Sequence, residues 1–188
     1  IPNRVSIDQR SHTIELRRRF GDWEGDTIVG KGHRGALITL VERKSKYLLM
    51  KQVDRYTSEK VREGIEARIS QDDLPFKSLT VDNGREFACH EQITDQFEVP
   101  IYFAHPYHSW ERGLNENTNG LVRQYFARGS SFKRITDAQV QRVRDRLNHR
   151  PRKSLGHKSP HEILVEGKRI KLQDSMCCIY YLNLIFTN

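Results

Sequence analysis

Three carboxylates stand where a carboxylate is hard to justify on structural grounds. Asp26 lies inside the strand-like run Trp23-Glu24-Gly25-Asp26-Thr27-Ile28-Val29. Asp82 closes the apolar run Leu79-Thr80-Val81 and is followed by Asn83-Gly84. Glu116, with 33 residues between it and Asp82, sits in a stretch crowded with Asn and Gly, Leu114-Asn115-Glu116-Asn117-Thr118-Asn119-Gly120. An acid inside a strand is costly unless it is paired or bound to metal. Brought together, the three would form an oxygen-only donor set, suited to Mg²⁺ or Mn²⁺ and not to zinc. Two such ions about 4 Å apart can activate an attacking oxygen and stabilise a leaving one in phosphodiester displacement. Each residue also has a plainer reading. Asp26 could be solvated on an edge strand, Asp82 could simply open an Asn-Gly turn, and Glu116 could be a solvated helix residue.

The elements that must position these acids follow from periodicity. Residues 23–30, 36–42 and 47–53 read as strands separated by short turns, too short for anything but antiparallel neighbours. Val61, Ile65 and Ile69 recur every four residues, which predicts a helix over 57–70 capped by Thr57 or Ser58. A strand over 77–82, a helix over 86–97 and a strand over 100–105 follow, an alternation that implies right-handed crossovers and parallel pairing. Helices are expected over 109–126, over 136–149 with a Thr136/Gln139 capping box, and from Ser159 onward. The class is therefore α/β. Strand alternation puts Asp22, Glu24, Asp26 and Ile28 on one face. On the helix over 109–126, Leu114, Thr118, Leu121, Val122 and Tyr125 form the expected core stripe. Glu116, Gly120 and Arg123 fall opposite, flanked by Arg112 and Asn119.

Charge points to a polyanionic partner. The 188 residues carry a net charge of +8; residues 120–171 hold 14 Lys and Arg against 4 Asp and Glu, and the remainder 18 against 20. A near-neutral body with a basic C-terminal third fits nucleic acid, with a solvated helical face as the plainer alternative. The phosphate contacts expected from the helices are Arg112, Asn119, Arg123, Arg128, Lys133, Arg152 and Lys153. His105 and His108 either line the site or are structural histidines beside a proline turn. Cys89, Cys177 and Cys178 cannot build a disulfide framework, and no zinc spacing exists. No signal peptide or bilayer-length apolar run is present. Residues 1–20 read as an exposed lead-in or linker, residues 21–172 as the core, and residues 173–188 as an apolar tail whose role stays open.

The chain resembles the catalytic core of bacterial DDE transposases, specifically the insertion-sequence family conventionally numbered thirty, within the retroviral-integrase-like superfamily. The likeness is carried by Gly21-Asp22-Trp23-Glu24-Gly25-Asp26-Thr27-Ile28, by the segment 80–87, by the run 105–126, and by the segment 147–156 with Ser159-Pro160. It implies a ribonuclease-H-like fold: a five-stranded mixed sheet, first three strands antiparallel, flanked by helices. It carries the catalytic and metal-binding roles onto Asp26, Asp82 and Glu116, with two Mg²⁺ (or Mn²⁺) ions, one held by Asp26 and Asp82 and the other by Asp26 and Glu116. Glu24 and Glu111 rank lower. The implied activity is DNA cleavage and strand transfer at insertion-sequence ends. The implied partners are transposon ends, target DNA and further copies of the chain, with no membrane, in the bacterial cytoplasm at the nucleoid. Such transposases carry an N-terminal helix-turn-helix region, and nothing before residue 20 can be one, so the expectation is a catalytic fragment or a truncated product. Two rivals remain: a ribonuclease-H-like nuclease that cuts without joining, and an inactive truncated transposase that only binds DNA.

Overall fold

The computed structural model describes residues 1–106 and 108–167. The apolar tail over 173–188, with Cys177 and Cys178, lies outside the described residues; Cys89 is a free thiol. In chain order the main elements are β1 (Val5–Ser6), α1 (His12–Glu15), β2 (Asp22–Val29), β3 (Ala36–Glu42), β4 (Leu48–Val53), α2 (Ser58–Gln71), β5 (Ser78–Val81), α3 (His90–Phe97), β6 (Ile101–Phe103), α4 (Gly113–Val122) and α5 (Asp137–Asn148). They build one sheet in the order β1-β6-β5-β2-β3-β4. β2, β3 and β4 are antiparallel neighbours, while β2–β5, β5–β6 and β1–β6 pair in parallel. The mixed α/β sheet expected from the turns and crossovers is therefore present, with six strands in place of five.

The sixth strand comes from the stretch expected to be an exposed lead-in. A two-residue strand carries no periodicity, so it leaves no signal in the sequence. Residues 5–15 nevertheless pack onto the sheet: Ile7, Arg10 and Ile14 are buried. Arg10 donates to Thr80 Oγ1 at 3.0 Å and pairs with Glu15. Much of residues 1–20 is exposed, as expected of a lead-in, but the Ile7, Arg10 and Ile14 side chains are not.

The sheet is covered on both faces. One face gathers Trp23, Ile38, Leu40, Leu79, Val81 and Ile101 with Val61 and Ile65 of α2 and Ile93 of α3. The other gathers Ile28, Leu37, Val41, Leu48 and Met50 with Leu114 and Val122 of α4 and Val140, Val143 and Leu147 of α5. β3, packed against both layers, is buried along its whole length, as expected of a strand with helices on both sides. Gly64 allows α2 to lie close on the sheet, since a Cβ there would come 2.4 Å from Ile38 Cδ1. Thr57 caps α2 through Lys60 N, and the Thr136/Gln139 capping box at α5 is present.

Three helices are shorter or different from expectation. Residues 86–97 divide into a 3₁₀ turn over Arg85–Phe87 and α3. Residues 109–126 divide into a 3₁₀ turn over Ser109–Arg112, α4, and a tightened end in which Gln124 N and Tyr125 N bond three residues back, to Leu121 O and Val122 O. That tightening advances the chain faster than 3.6 residues per turn. Phe126 is buried in consequence, and Tyr125, expected in the core stripe, is 40% exposed. At Ser159 the cap is as read, with Ser159 Oγ accepting from Glu162 N at 3.2 Å, but the turn continues as a π-helical segment, Glu162–Glu166.

Candidate active site

Strand register brings Asp26 and Asp82 together. β2 and β5 run parallel with Asp22 opposite Ser78, Trp23 opposite Leu79 and Glu24 opposite Thr80. Asp26 lies two residues past the last pair of that ladder and Asp82 just past the end of β5, so both acids stand at the same end of the parallel pair, where both face Arg112. β2 lies between β5 and β3, so Asp26 is not on an edge strand. Asp82 does begin the turn, its Oδ1 accepting from Gly84 N at 3.0 Å; its Oδ2 faces Arg112 Nη2 at 3.4 Å. The turn reading and the site reading of Asp82 are thus compatible.

Asp26 is held from three sides. Its Oδ1 accepts from Thr27 N at 2.8 Å and its Oδ2 from Asn119 Nδ2 at 2.9 Å. Asn119 is aimed in turn by the buried Thr39, whose hydroxyl donates to Asn119 Oδ1 at 2.9 Å. Arg112 Nη1 stands 3.6 Å from Asp26 Oδ2. Burial pushes the Asp26 carboxyl up to about 6, against the pull of Arg112 and with a push from Asp82. Burial also raises Asp82, again opposed by Arg112. One guanidinium therefore serves two carboxylates that ionise reluctantly.

Glu116 is exposed on α4, on the side away from the buried Leu114, Thr118 and Val122. It lines a cleft of about 550 Å³ together with Asp26, Arg112, Asn119, Gly120, Arg123 and Arg128. Gly120 faces open space, with nothing within 4 Å of where a Cβ would be. Asp82 lines a neighbouring cleft of about 310 Å³ with Gly84, His105, His108 and Arg112. Arg112 borders both. Four of the seven expected phosphate-binding residues, Arg112, Asn119, Arg123 and Arg128, thus meet around Asp26 and Glu116. Arg152 and Lys153 follow α5 and do not line this cleft; Arg152 Nη2 donates to Leu147 O at 3.2 Å. Lys133 lies in a 3₁₀ turn over Phe132–Arg134, and its side chain is outside what is described.

The lower-ranked acids have structural roles. Glu24 is fully buried, accepting from Arg43 Nη1 at 2.9 Å and Asn115 N at 3.2 Å. Glu111 Oε1 lies 2.8 Å from His105 Nδ1 and 3.4 Å from His108 Nδ1, and His105 Nε2 lies 2.9 Å from Asp8 Oδ2. Among the described residues, His105, His108 and Glu111 are a trio whose ligand atoms all fall within 4.8 Å of one another. Hydrogen bonds to Glu111 and Asp8 raise the His105 pKa, and the His105 ring links Asp8 of the N-terminal segment to Glu111 in the turn before α4.

Sequence reasoning missed Glu86. Its Oε1 accepts from the Thr27 hydroxyl at 2.9 Å, directly beside Asp26, and its charge contributes to the upward shift of both Asp26 and Asp82. A side chain at Gly84 would collide with the Glu86 carboxylate. The run Asp82-Asn83-Gly84-Arg85-Glu86 was the available signal, since it places a second acid just past the turn.

No family model matches the chain. Over 162 residues, 86% of its length, it is 43% identical to the transposase for insertion sequence element IS4351 of Bacteroides fragilis, covering 50% of that protein. It is 39% identical over 170 residues to the transposase InsI for insertion sequence element IS30A of Escherichia coli K12, covering 44% of it. It is 36% identical over 167 residues to the transposase for insertion sequence element IS1086 of Cupriavidus metallidurans, covering 49%. The chain thus spans about half the length of these relatives. Among solved structures, the catalytic core domain of BIV integrase has a TM-score of 0.61 at 21% identity, covering 80% of this chain and 97% of that one. A chain of the simian T-cell lymphotropic virus intasome in complex with PP2A regulatory subunit B56 gamma also has a TM-score of 0.61, at 20% identity over 76% of this chain and 53% of that one.

The fold is that of an integrase catalytic core, of the ribonuclease-H-like class. Over the segment it spans, the chain is similar to insertion-sequence transposases, at 36–43% identity.

Proposed function

We propose that the chain is the catalytic part of a DDE transposase, performing metal-dependent cleavage and strand transfer at insertion-sequence ends. Asp26, Asp82 and Glu116 are the catalytic acids. The observation that carries this reading is the shortage of positive charge around Asp26 and Asp82. Both are part-buried, burial raises both pKa values, and among the described residues one arginine 3.4–3.6 Å away is the cation paired with both. A carboxylate-only donor set with uncompensated charge fits a hard dication, Mg²⁺ or Mn²⁺. Asp26 and Asp82 would hold one ion, and Asp26 and Glu116 a second. When bound, the ions supply Lewis-acid activation of the attacking oxygen and stabilisation of the leaving one.

The rest of the site positions the acids and the nucleic acid. Thr39 fixes Asn119, and Asn119 fixes the Asp26 carboxylate, so one of its oxygens keeps a constant direction while the other stays on Thr27 N. Arg123 and Arg128 offer cationic contacts to a phosphodiester backbone entering the cleft. Open space above Gly120 leaves room for that backbone to approach α4. The partners are transposon ends and target DNA. The working form is a homo-oligomer, a reading supported by a structural neighbour solved within an intasome. Among the described residues no helix is long and apolar enough to cross a membrane.

A strand-transfer assay tests the reading against its rivals. Pre-nicked element ends, target duplex and Mn²⁺ are expected to give joined products. Cut products alone would identify a nuclease that does not join, and neither product, with DNA still bound, would identify an inactive binder.

A further inference from the structure

We infer that Arg112 is a built-in placeholder for the cation, occupying the space between Asp26 and Asp82 until a metal ion displaces it, with a DNA phosphate favouring the displaced position. The inference rests on the reading of Asp26, Asp82 and Glu116 as the metal-holding acids.

Arg112 differs from the arginines that serve the neighbouring acids of β2. Arg43 reaches Glu24 at 2.9 Å, and Arg19 grips Asp22 with Nε and Nη2 at 2.8 and 2.9 Å. These are the distances of committed charge-assisted hydrogen bonds. Arg112 makes three polar contacts and all are long: 3.6 Å to Asp26, 3.4 Å to Asp82 and 3.4 Å to Gly25 O. A guanidinium that saturated the site would use its donors fully; this one spreads its charge over two acids without closing a fork on either. It offsets their repulsion and little else.

Its place in the chain allows it to leave. Arg112 ends the 3₁₀ turn Ser109–Arg112 and is the N-cap of α4, with φ −124° and ψ 34° and no side-chain capping bond. Its side chain borders both the cleft holding Asp26 and Glu116 and the cleft holding Asp82. While it lies there, the three acids face two separate spaces; withdrawn, they face a common one. Arg123 and Arg128 on the rim of the larger cleft mark the direction from which phosphate would come. An ion and Arg112 compete for the same two carboxylates, whereas DNA phosphate attracts the displaced guanidinium. Metal and DNA should therefore strengthen each other's binding by the same factor, as linkage requires.

Calorimetric Mn²⁺ titration of the protein without DNA tests this directly, with no dependence on catalysis. Arg112→Gln is expected to bind Mn²⁺ roughly tenfold more tightly than the wild type, because the competing charge is gone. Arg123→Gln, which removes an equal charge from the rim, is expected to change affinity only about two- to threefold. Asp82→Asn is expected to weaken Mn²⁺ binding. If Asp82→Asn weakens binding and Arg112→Gln binds no better than wild type, the placeholder role is wrong while the acid site stands. If Asp82→Asn binds as wild type does, both readings fall. Should Arg112→Gln not fold, Mg²⁺ titration of the ¹⁵N-arginine-labelled wild type gives the same decision. The Arg112 side-chain resonance is expected to shift on ion binding, and an unchanged resonance at saturation overturns the inference.

Discussion

Asp22, Glu24 and Asp26 lie on one face of one strand, two residues apart, yet they are treated in opposite ways. Asp22 and Glu24 are fully buried and each takes a close arginine, although burial still raises the Glu24 pKa against the pull of Arg43. Asp22 takes both donors of Arg19 and the Ser78 hydroxyl at 2.6 Å, and Glu24 takes Arg43 and a backbone N–H. Arg43 and Arg10 are themselves tied to Glu15 of the N-terminal segment. Asp26, four residues along, keeps 21% of its side chain exposed and has only a distant share of Arg112. Asp22 and Glu24 each have an arginine at close range, whereas Asp26 does not, and under the proposed function a divalent ion or a proton would fill that deficit.

The contrast can be broken most sharply by exchanging charge for shape. Asp26→Asn and Asp82→Asn are expected to lower cleavage and joining by roughly 10⁴-fold or more while leaving DNA binding and the folding transition in place. Gel-based cleavage and thermal melting measured together check this; an active variant would mean the site is elsewhere. Arg43→Met probes the opposite class. Leaving Glu24 buried without its cation should cost about 3–5 kcal/mol of stability in urea denaturation. A cost near zero would mean that the two acids are not so different after all.

Titration gives a third and smaller effect. The folded-state pKa of Asp26, about 6 against an ordinary 3.8, means the folded protein holds a proton that the unfolded chain releases. Its contribution to the stability of the metal-free protein is therefore full below about pH 4 and is lost as pH rises through 6, a change of order 1–3 kcal/mol. Denaturation curves across that window should show the slope, and Asp26→Asn should reduce it, leaving the share contributed by the other raised carboxyls, Asp82 among them. A slope unchanged by Asp26→Asn would assign the titration to another group. The smallest effects concern the rim. Arg123→Gln or Arg128→Gln should reduce the salt dependence of DNA binding by about one counterion each, whereas Arg152→Gln, away from the cleft, should not. Equal losses from all three would argue that the DNA path does not follow the cleft.

Much of this arrangement was legible in the sequence because it depends on local pattern. The meander of β2, β3 and β4 followed from short turns, α2 and α5 from their stripes and caps, and the exposure of Glu116 from helix geometry. What was not legible depends on contacts between distant segments. The register that sets Asp26 and Asp82 at the same end of a parallel pair is a property of two strands some fifty residues apart. The pairing of Arg43 with Glu24, and of His105 with Asp8 and Glu111, has no footprint in spacing. Residues 5–15 read as a polar lead-in because a strand of two residues and a buried arginine look like linker. Tyr125 was misplaced because the helix tightens three residues before it.

The central claim is that Asp26, Asp82 and Glu116 share divalent metal. Crystals of the chain soaked in Mn²⁺ and measured at the manganese absorption edge test it most directly. The account predicts anomalous density between the Asp26 and Asp82 carboxylates, with Arg112 displaced from its position between them. Density at His105, His108 and Glu111 instead, with none among the three acids, would contradict it.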